Sequence, residues 1–219
     1  MNKLIDHTKL GNNVTLKDIE VLVNEANTHQ FKSVCVDPIY VAYAKTLVND
    51  VLVCTVVGFP HGTQKTSVKV LETKEAILDG ADEIDMVLNQ NALKNKDYPY
   101  VLEEIKAIKK ACGNHVLKVI IETSNLSEAE KIKACELAKE AGADFVKTST
   151  GFHKGGATLE DVALMRRVVG PKMGVKASGG VRTYDDAKKM VIAGATRIGT
   201  SNGLSIINKE KNNDSNTSY

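Results

Sequence analysis

Asp144-Phe145-Val146-Lys147-Thr148-Ser149-Thr150-Gly151 decides how the rest of the chain is read. β-Branched and aromatic residues fill it, and Gly142 and Gly151 punctuate its ends, so it reads as a short strand. Side chains alternate along a strand. Lys147 therefore shares a face with Phe145 and Ser149, while Val146 and Thr148 point the other way. A lysine in such a place is either an edge or paired lysine, as buried lysines usually are, or one desolvated until its amine is neutral and nucleophilic.

Twenty-nine residues on (176 − 147), Met173-Gly174-Val175-Lys176-Ala177-Ser178-Gly179-Gly180 repeats the pattern around Lys176. One strand-helix-strand step takes roughly thirty residues. Lys147 and Lys176 are thus expected to project from neighbouring parallel strands into one space. Two ammonium groups so placed disfavour each other's charge, and burial adds to this. A free lysine is neutral only about 0.04% of the time at pH 7. Bringing it to a pKa of about 7–8 requires roughly 4 kcal/mol, which one close cation plus desolvation supplies. The pair points to Schiff-base chemistry on a carbonyl substrate.

The flanking sequence alternates strand and helix patterns. Leu4 to Thr8, Ser33 to Val36, Val51 to Val57, Ala81 to Leu88, Val116 to Thr123 and Thr196 to Ser201 read as six further strands. Helices are expected at about 15–30 with Thr15 as N-cap, after Pro38, and at about 64–78, 98–111, 127–140, 159–169 and 184–193. Ser127 and Glu130 form a capping box. Gly80, Gly142 and Gly194 each end a helix just before a strand. Strict alternation means parallel strands with helical crossovers. The expectation is an α/β chain folded as a single-domain (β/α)8 TIM barrel over 1–207, with 208–219 a polar, flexible C-terminal tail. A doubly wound open sheet is the alternative, but it leaves strands apolar on both faces. Here Asp85, Lys147 and Lys176 occupy one face of three strands, and a barrel gives those faces a common axis.

Composition excludes several functions. The net charge is +2 with both signs interspersed, and there is no Trp, so nucleic acid is not an expected partner. No apolar run reaches membrane-spanning length. Cys35, Cys54, Cys112 and Cys135 form no CxxC and read as reduced thiols of a cytoplasmic protein. The five histidines are scattered and no metal-ligand set is expected. His7 and His61 read as structural or as ligand contacts.

Catalytic groups in such barrels sit at the carboxyl ends of strands, and loops after the last two strands often hold phosphate. Ser178-Gly179-Gly180 and Gly199-Thr200-Ser201-Asn202-Gly203 occupy that place. The candidate substrate- and phosphate-binding set is Thr150, Ser178, Gly179, Gly180, Gly199, Thr200, Ser201 and Asn202. Asp85 is a candidate proton donor and acceptor, or a salt-bridge partner for the lysines. Asp6 is a candidate partner of Lys176, and Lys118 and Glu122 share the inward face as weaker candidates. Tyr219 is either a solvated terminus or a mobile arm whose phenol helps move a proton.

Leu4-Ile5-Asp6-His7-Thr8, Val34-Cys35-Val36, Val56-Val57-Gly58-Phe59-Pro60, Glu83-Ile84-Asp85-Met86-Val87, Lys118-Val119-Ile120-Ile121-Glu122-Thr123, the two lysine stretches and Arg197-Ile198-Gly199-Thr200-Ser201 together resemble the deoxyribose-phosphate aldolase family of class I aldolases. The resemblance implies reversible cleavage of 2-deoxy-D-ribose 5-phosphate to D-glyceraldehyde 3-phosphate and acetaldehyde, without cofactor or metal, in cytoplasmic deoxynucleoside catabolism. It implies Lys147 as the Schiff-base lysine, Lys176 as the perturber of its pKa and proton relay, Asp85 as proton-transfer group and Asp6 as partner of Lys176. Asn202 stands where some relatives carry a second serine, and Phe152 where some carry a lysine. The partners so implied are a phosphosugar and acetaldehyde; the assembly state stays open, a homodimer among the candidates. A carboxylate-based phosphosugar isomerase and a non-catalytic phosphosugar-binding protein are the alternatives on the same barrel.

Overall fold

A computed structural model describes residues 1–214 of the chain, with side chains through residue 208. Strand and helix alternate as β1 (Ile5–Lys9), α1 (Leu16–His29), β2 (Ser33–Val36), α2 (Val41–Leu47), β3 (Leu52–Val57), α3 (Thr66–Leu78), β4 (Glu83–Val87), α4 (Gln90–Lys94), α5 (Tyr98–Cys112), β5 (Val116–Ile120), α6 (Glu128–Glu140), β6 (Phe145–Lys147), α7 (Leu159–Val169), β7 (Gly174–Ser178), α8 (Tyr184–Ala193), β8 (Arg197–Thr200) and α9 (Gly203–Asp214). Each strand pairs in parallel with its sequence neighbours, and β8 closes on β1. This is an eight-stranded β/α barrel, and the closure rules out the open doubly wound sheet.

The strands sort their side chains by period two. Ile84, Met86, Val119, Val146, Val175 and Ile198 are fully buried and join one core with Ile105 and Ile108 of α5 and Val162 and Met165 of α7. Alternate positions carry the polar groups inward. The register places Asp85 beside Lys118, Lys147 beside Lys176, and Lys176 beside Arg197. Burying each large aliphatic side chain contributes roughly 1.5–3 kcal/mol, so the outer shell stabilises a barrel whose interior is charged.

Helix starts follow local chemistry. Thr15 with Asp18, Ser127 with Glu130 and Thr183 with Asp186 form reciprocal capping boxes, and Thr158 caps α7 by accepting from the Asp161 N–H. Three boundaries differ from expectation. β5 stops at Ile120 rather than Thr123, because Glu122 adopts φ 56° and breaks the pleat. α4 is an additional short helix between β4 and α5, capped by the Asn89 side chain. After β8 the chain enters α9, which carries helical backbone to Asp214, into the stretch set aside as a tail. Residues 215–219, and with them Tyr219, lie outside the described residues.

Candidate active site

Among the described residues, seven charged side chains meet inside the barrel. Asp6 comes from β1, Glu83 and Asp85 from β4, Lys118 from β5, Lys147 from β6, Lys176 from β7 and Arg197 from β8. All are at most 5% exposed. Asp85 is the hub. Its Oδ2 accepts from both Lys147 and Lys176 at 2.8 Å, and its Oδ1 accepts from Lys118 at 2.8 Å and from the Cys54 thiol at 3.2 Å. Asp6 lies 2.5 Å from Lys176, accepts from Arg197 at 2.7 Å and accepts the Ser33 hydroxyl at 2.7 Å. Glu83 is 2.6 Å from Lys118 and 2.8 Å from Arg197.

Burial alone would raise the pKa of Asp85, but the ammonium groups of Lys118, Lys147 and Lys176 outweigh it and hold the carboxyl well below the usual range. Asp6 behaves the same way: burial works against its charge, and Lys176, Lys118 and Arg197 more than compensate. At rest both are therefore anions.

Carboxylates change what the two neighbouring lysines do to each other. Burial would push the Lys176 pKa down, but Asp6 and Asp85 outweigh it and push it up. Lys118 is likewise raised, burial being overcome chiefly by Asp85. The inward lysines do not simply repel one another's charge, because carboxylates lie between them. Lys176 is a cation in direct register beside Lys147.

Above this cluster lies a cavity of about 430 Å³ at the carboxyl end of the strands. Lys147 lines it, as do Thr150, Ser178, Gly179, Gly180, Gly199, Thr200 and Ser201. Seven of the eight residues expected to bind substrate or phosphate are thus brought together with the candidate nucleophile. Asn202 is the exception. The strand has ended at Thr200, and the Asn202 carbonyl accepts from the Ile206 N–H at the start of α9, so Asn202 belongs to the turn into the helix.

The hydroxyls in this set are largely committed to bracing the loops. Thr150 donates to Glu122 Oε2 at 2.6 Å, Ser178 to the Ser149 carbonyl at 2.6 Å, and Thr200 to the Val181 carbonyl at 2.8 Å. Glu122 also accepts from the Thr150 N–H at 3.0 Å, so it positions the β6–α7 loop rather than facing ligand. Gly199 also leaves room inside the barrel. A Cβ there would stand 2.9 Å from Lys176 Cε and 2.9 Å from Ser178 Cβ. The missing side chain is the room through which Lys176 reaches Asp85.

Two further residues, Lys118 and Arg197, hold the cluster together, the first expected only weakly and the second not at all. The signal for Arg197 was present: an arginine alternating with Ile198 in a short strand has the same logic as Lys147. Lys9 and Arg182 at the cavity wall were also missed. Among the histidines, His7 pairs with Glu25 at 2.6 Å and packs edge-on against Phe31, which makes it structural. His61 meets His153, ring centroids 5.3 Å apart, and Phe59 meets Phe152 at 5.1 Å; both contacts join the β3–α3 loop to the β6–α7 loop. Cys35, Cys54 and Asp85 bring three metal-capable atoms within 4.8 Å of one another. An ammonium already fills that space, with Lys118 Nζ 3.3 Å from Cys54 and 2.8 Å from Asp85.

Residues 1–209 match the family model described as DeoC/LacD family aldolase. A relative from Macrococcus caseolyticus named deoxyribose-phosphate aldolase is 58% identical over 211 residues, covering 95% of this chain and 96% of its own. Among solved structures, "QR15, an Aldolase" superposes with a TM-score of 0.95 at 44% identity, over 99% of this chain and 98% of that one. A deoxyribose phosphate aldolase from Aeropyrum pernix, described as tetrameric, superposes with a TM-score of 0.88 at 34% identity, over 96% and 90%.

Proposed function

The chain belongs to the DeoC/LacD family of aldolases, and from that premise we propose that it cleaves 2-deoxy-D-ribose 5-phosphate reversibly to D-glyceraldehyde 3-phosphate and acetaldehyde through a Schiff base on Lys147. One observation carries this reading. Among the described residues, Lys147 is the inward-facing strand cation that also lines the cavity, while Lys118, Lys176 and Arg197 lie behind it. An amine must reach the substrate carbonyl to attack it, and this one does.

The steps follow from the charges. Lys147 Nζ adds to the C1 aldehyde of the open-chain sugar, and loss of water leaves a cationic iminium. The Asp85 carboxylate, vacated by the lysine as its nitrogen becomes bonded to carbon, accepts the C3 hydroxyl proton directly or through a water. The C2–C3 bond breaks, its electron pair moves into the iminium, and an enamine remains while glyceraldehyde 3-phosphate leaves. The enamine takes a proton at C2, and water releases acetaldehyde and regenerates the amine. Lys176, held as a cation between Asp6 and Asp85, keeps Asp85 in place beside the nitrogen that forms the Schiff base. The chemistry needs a small aldehyde and a phosphosugar as its only partners. On the same reading the enzyme serves deoxynucleoside breakdown in the cytoplasm.

The test is a cleavage assay. Purified protein mixed with 2-deoxyribose 5-phosphate should release glyceraldehyde 3-phosphate, and Lys147→Leu should abolish release while leaving the fold intact. Turnover that survives Lys147→Leu would favour an isomerase or other carboxylate-based chemistry on the same barrel.

A further inference from the structure

Among the described residues, those that line the cavity include three cations, Lys9, Lys147 and Arg182, and no carboxylate. Lys147 is held by Asp85 at 2.8 Å, at the deep end. The other two stand at the rim, and topology sets where. β8 lies between β7 and β1 in the barrel. Arg182 follows the end of β7 and Lys9 is the last residue of β1, so the two cations flank the turn that Gly199, Thr200 and Ser201 make at the end of β8. The hydroxyls of Thr150, Ser178 and Thr200 already donate to protein acceptors. Charge at this seat must come from the rim cations.

Lys9 is also held in a way that suits exchange. Its Nζ lies 3.2 Å from Asp18 Oδ1, with the lysine side chain 44% exposed. Asp18 Oδ2 is occupied by the Thr15 N–H at 2.9 Å and the Thr15 hydroxyl at 2.6 Å, so the carboxylate is fixed at the first turn of α1. The ammonium on its long stem is the mobile partner. A phosphate monoester carries a charge of about −1.5 to −2 near pH 7 and offers three acceptor oxygens, against one charge on Asp18. Phosphate is therefore the stronger competitor for a lysine that can reach both.

We propose that Lys9 is a specificity-determining residue: its ammonium turns from Asp18 to a phosphate seated at the end of β8, opposite Arg182, and so makes the site prefer the sugar 5-phosphate to the free sugar. This rests on the aldolase reading above and names the residue that sets its substrate class. It distinguishes Lys9 from Lys147, which meets the other end of the substrate.

The experiment compares kcat/KM for 2-deoxyribose 5-phosphate and for 2-deoxyribose in wild-type, Lys9→Met and Lys9→Arg enzymes at low ionic strength. The ratio of the two should fall about tenfold in Lys9→Met, the low end for a hydrogen bond to a charged group at a half-exposed position. The loss should appear in KM for the phosphorylated sugar, and Lys9→Arg should recover most of it. Raising salt should shrink the difference between wild-type and Lys9→Met, since the screening length falls to about 3 Å at 1 M. An unchanged ratio in Lys9→Met overturns the inference, as does an equal loss on both sugars, which a damaged fold would give. A wild-type protein that cleaves neither sugar overturns the aldolase reading itself.

Discussion

Replacing Gly199 by alanine tests whether the barrel interior is as tightly built as its distances say. The added Cβ would lie 2.9 Å from Lys176 Cε and 2.9 Å from Ser178 Cβ. Carbon atoms pack comfortably at about 3.5 Å or more, so each contact is short by roughly 0.6 Å. The lysine cannot simply swing away, because its Nζ is held 2.5 Å from Asp6 and 2.8 Å from Asp85. Ser178 is part of β7 and moves only with the strand. Overpacking of this kind costs about 1–3 kcal/mol of stability. Displacements of about 1 Å near reacting groups cost up to about a hundredfold in rate, so a shift of roughly half that size should lower kcat by about tenfold. Urea unfolding followed by circular dichroism reads the first effect and steady-state cleavage the second. A Gly199→Ala protein with wild-type midpoint and wild-type kcat would refute the claim that this glycine exists to seat Lys176.

Removing the Lys118 ammonium with Lys118→Met leaves Glu83 and Asp85 short of a cation that stands 2.6 and 2.8 Å away. Breaking a buried pair by deleting one partner costs about 3–5 kcal/mol, so the urea midpoint should drop far more than for Lys17→Met, whose pair with Glu20 is exposed; equal drops would contradict the network. The pH dependence of stability has a worked sign. Asp6 and Asp85 are held below the usual carboxylate range, so their contribution is complete above about pH 4 and is lost as acid protonates them below it. Lys118 and Lys176 are held above the usual lysine range, so theirs is complete below about pH 10 and is lost at higher pH. Asp85→Asn should therefore destabilise by a constant amount between about pH 5 and 9 and by less in strong acid; a difference that varies across the neutral range would contradict the assignment.

The barrel was legible because its signals are local. α7 and α8 begin and end where period and capping chemistry put them, Leu159–Val169 and Tyr184–Ala193. The adjacency of Lys147 and Lys176 followed from one β/α/β spacing and is a direct register pair. What local pattern could not supply is partnership across the barrel. Arg197 meets Asp6 and Glu83 across sequence separations of 191 and 114 residues; local alternation turns Arg197 inward but does not name its partners. The same gap misled the charge argument: two lysines considered alone repel, whereas Asp85, 62 and 91 residues away from them in sequence, sits between them. Asn202 was grouped with its glycine-rich neighbours by composition, although the chain had already turned into α9. α9 itself lacked an apolar period beyond Ile207, so its backbone helix left no pattern to read.

The central claim is that Lys147 carries a carbon adduct during turnover. Incubation with acetaldehyde, reduction by borohydride and peptide mass spectrometry test it directly. The account predicts a two-carbon adduct on Lys147 alone, absent after Lys147→Leu. Labelling scattered over surface lysines, an adduct on Lys176 instead, or no adduct at all would contradict it.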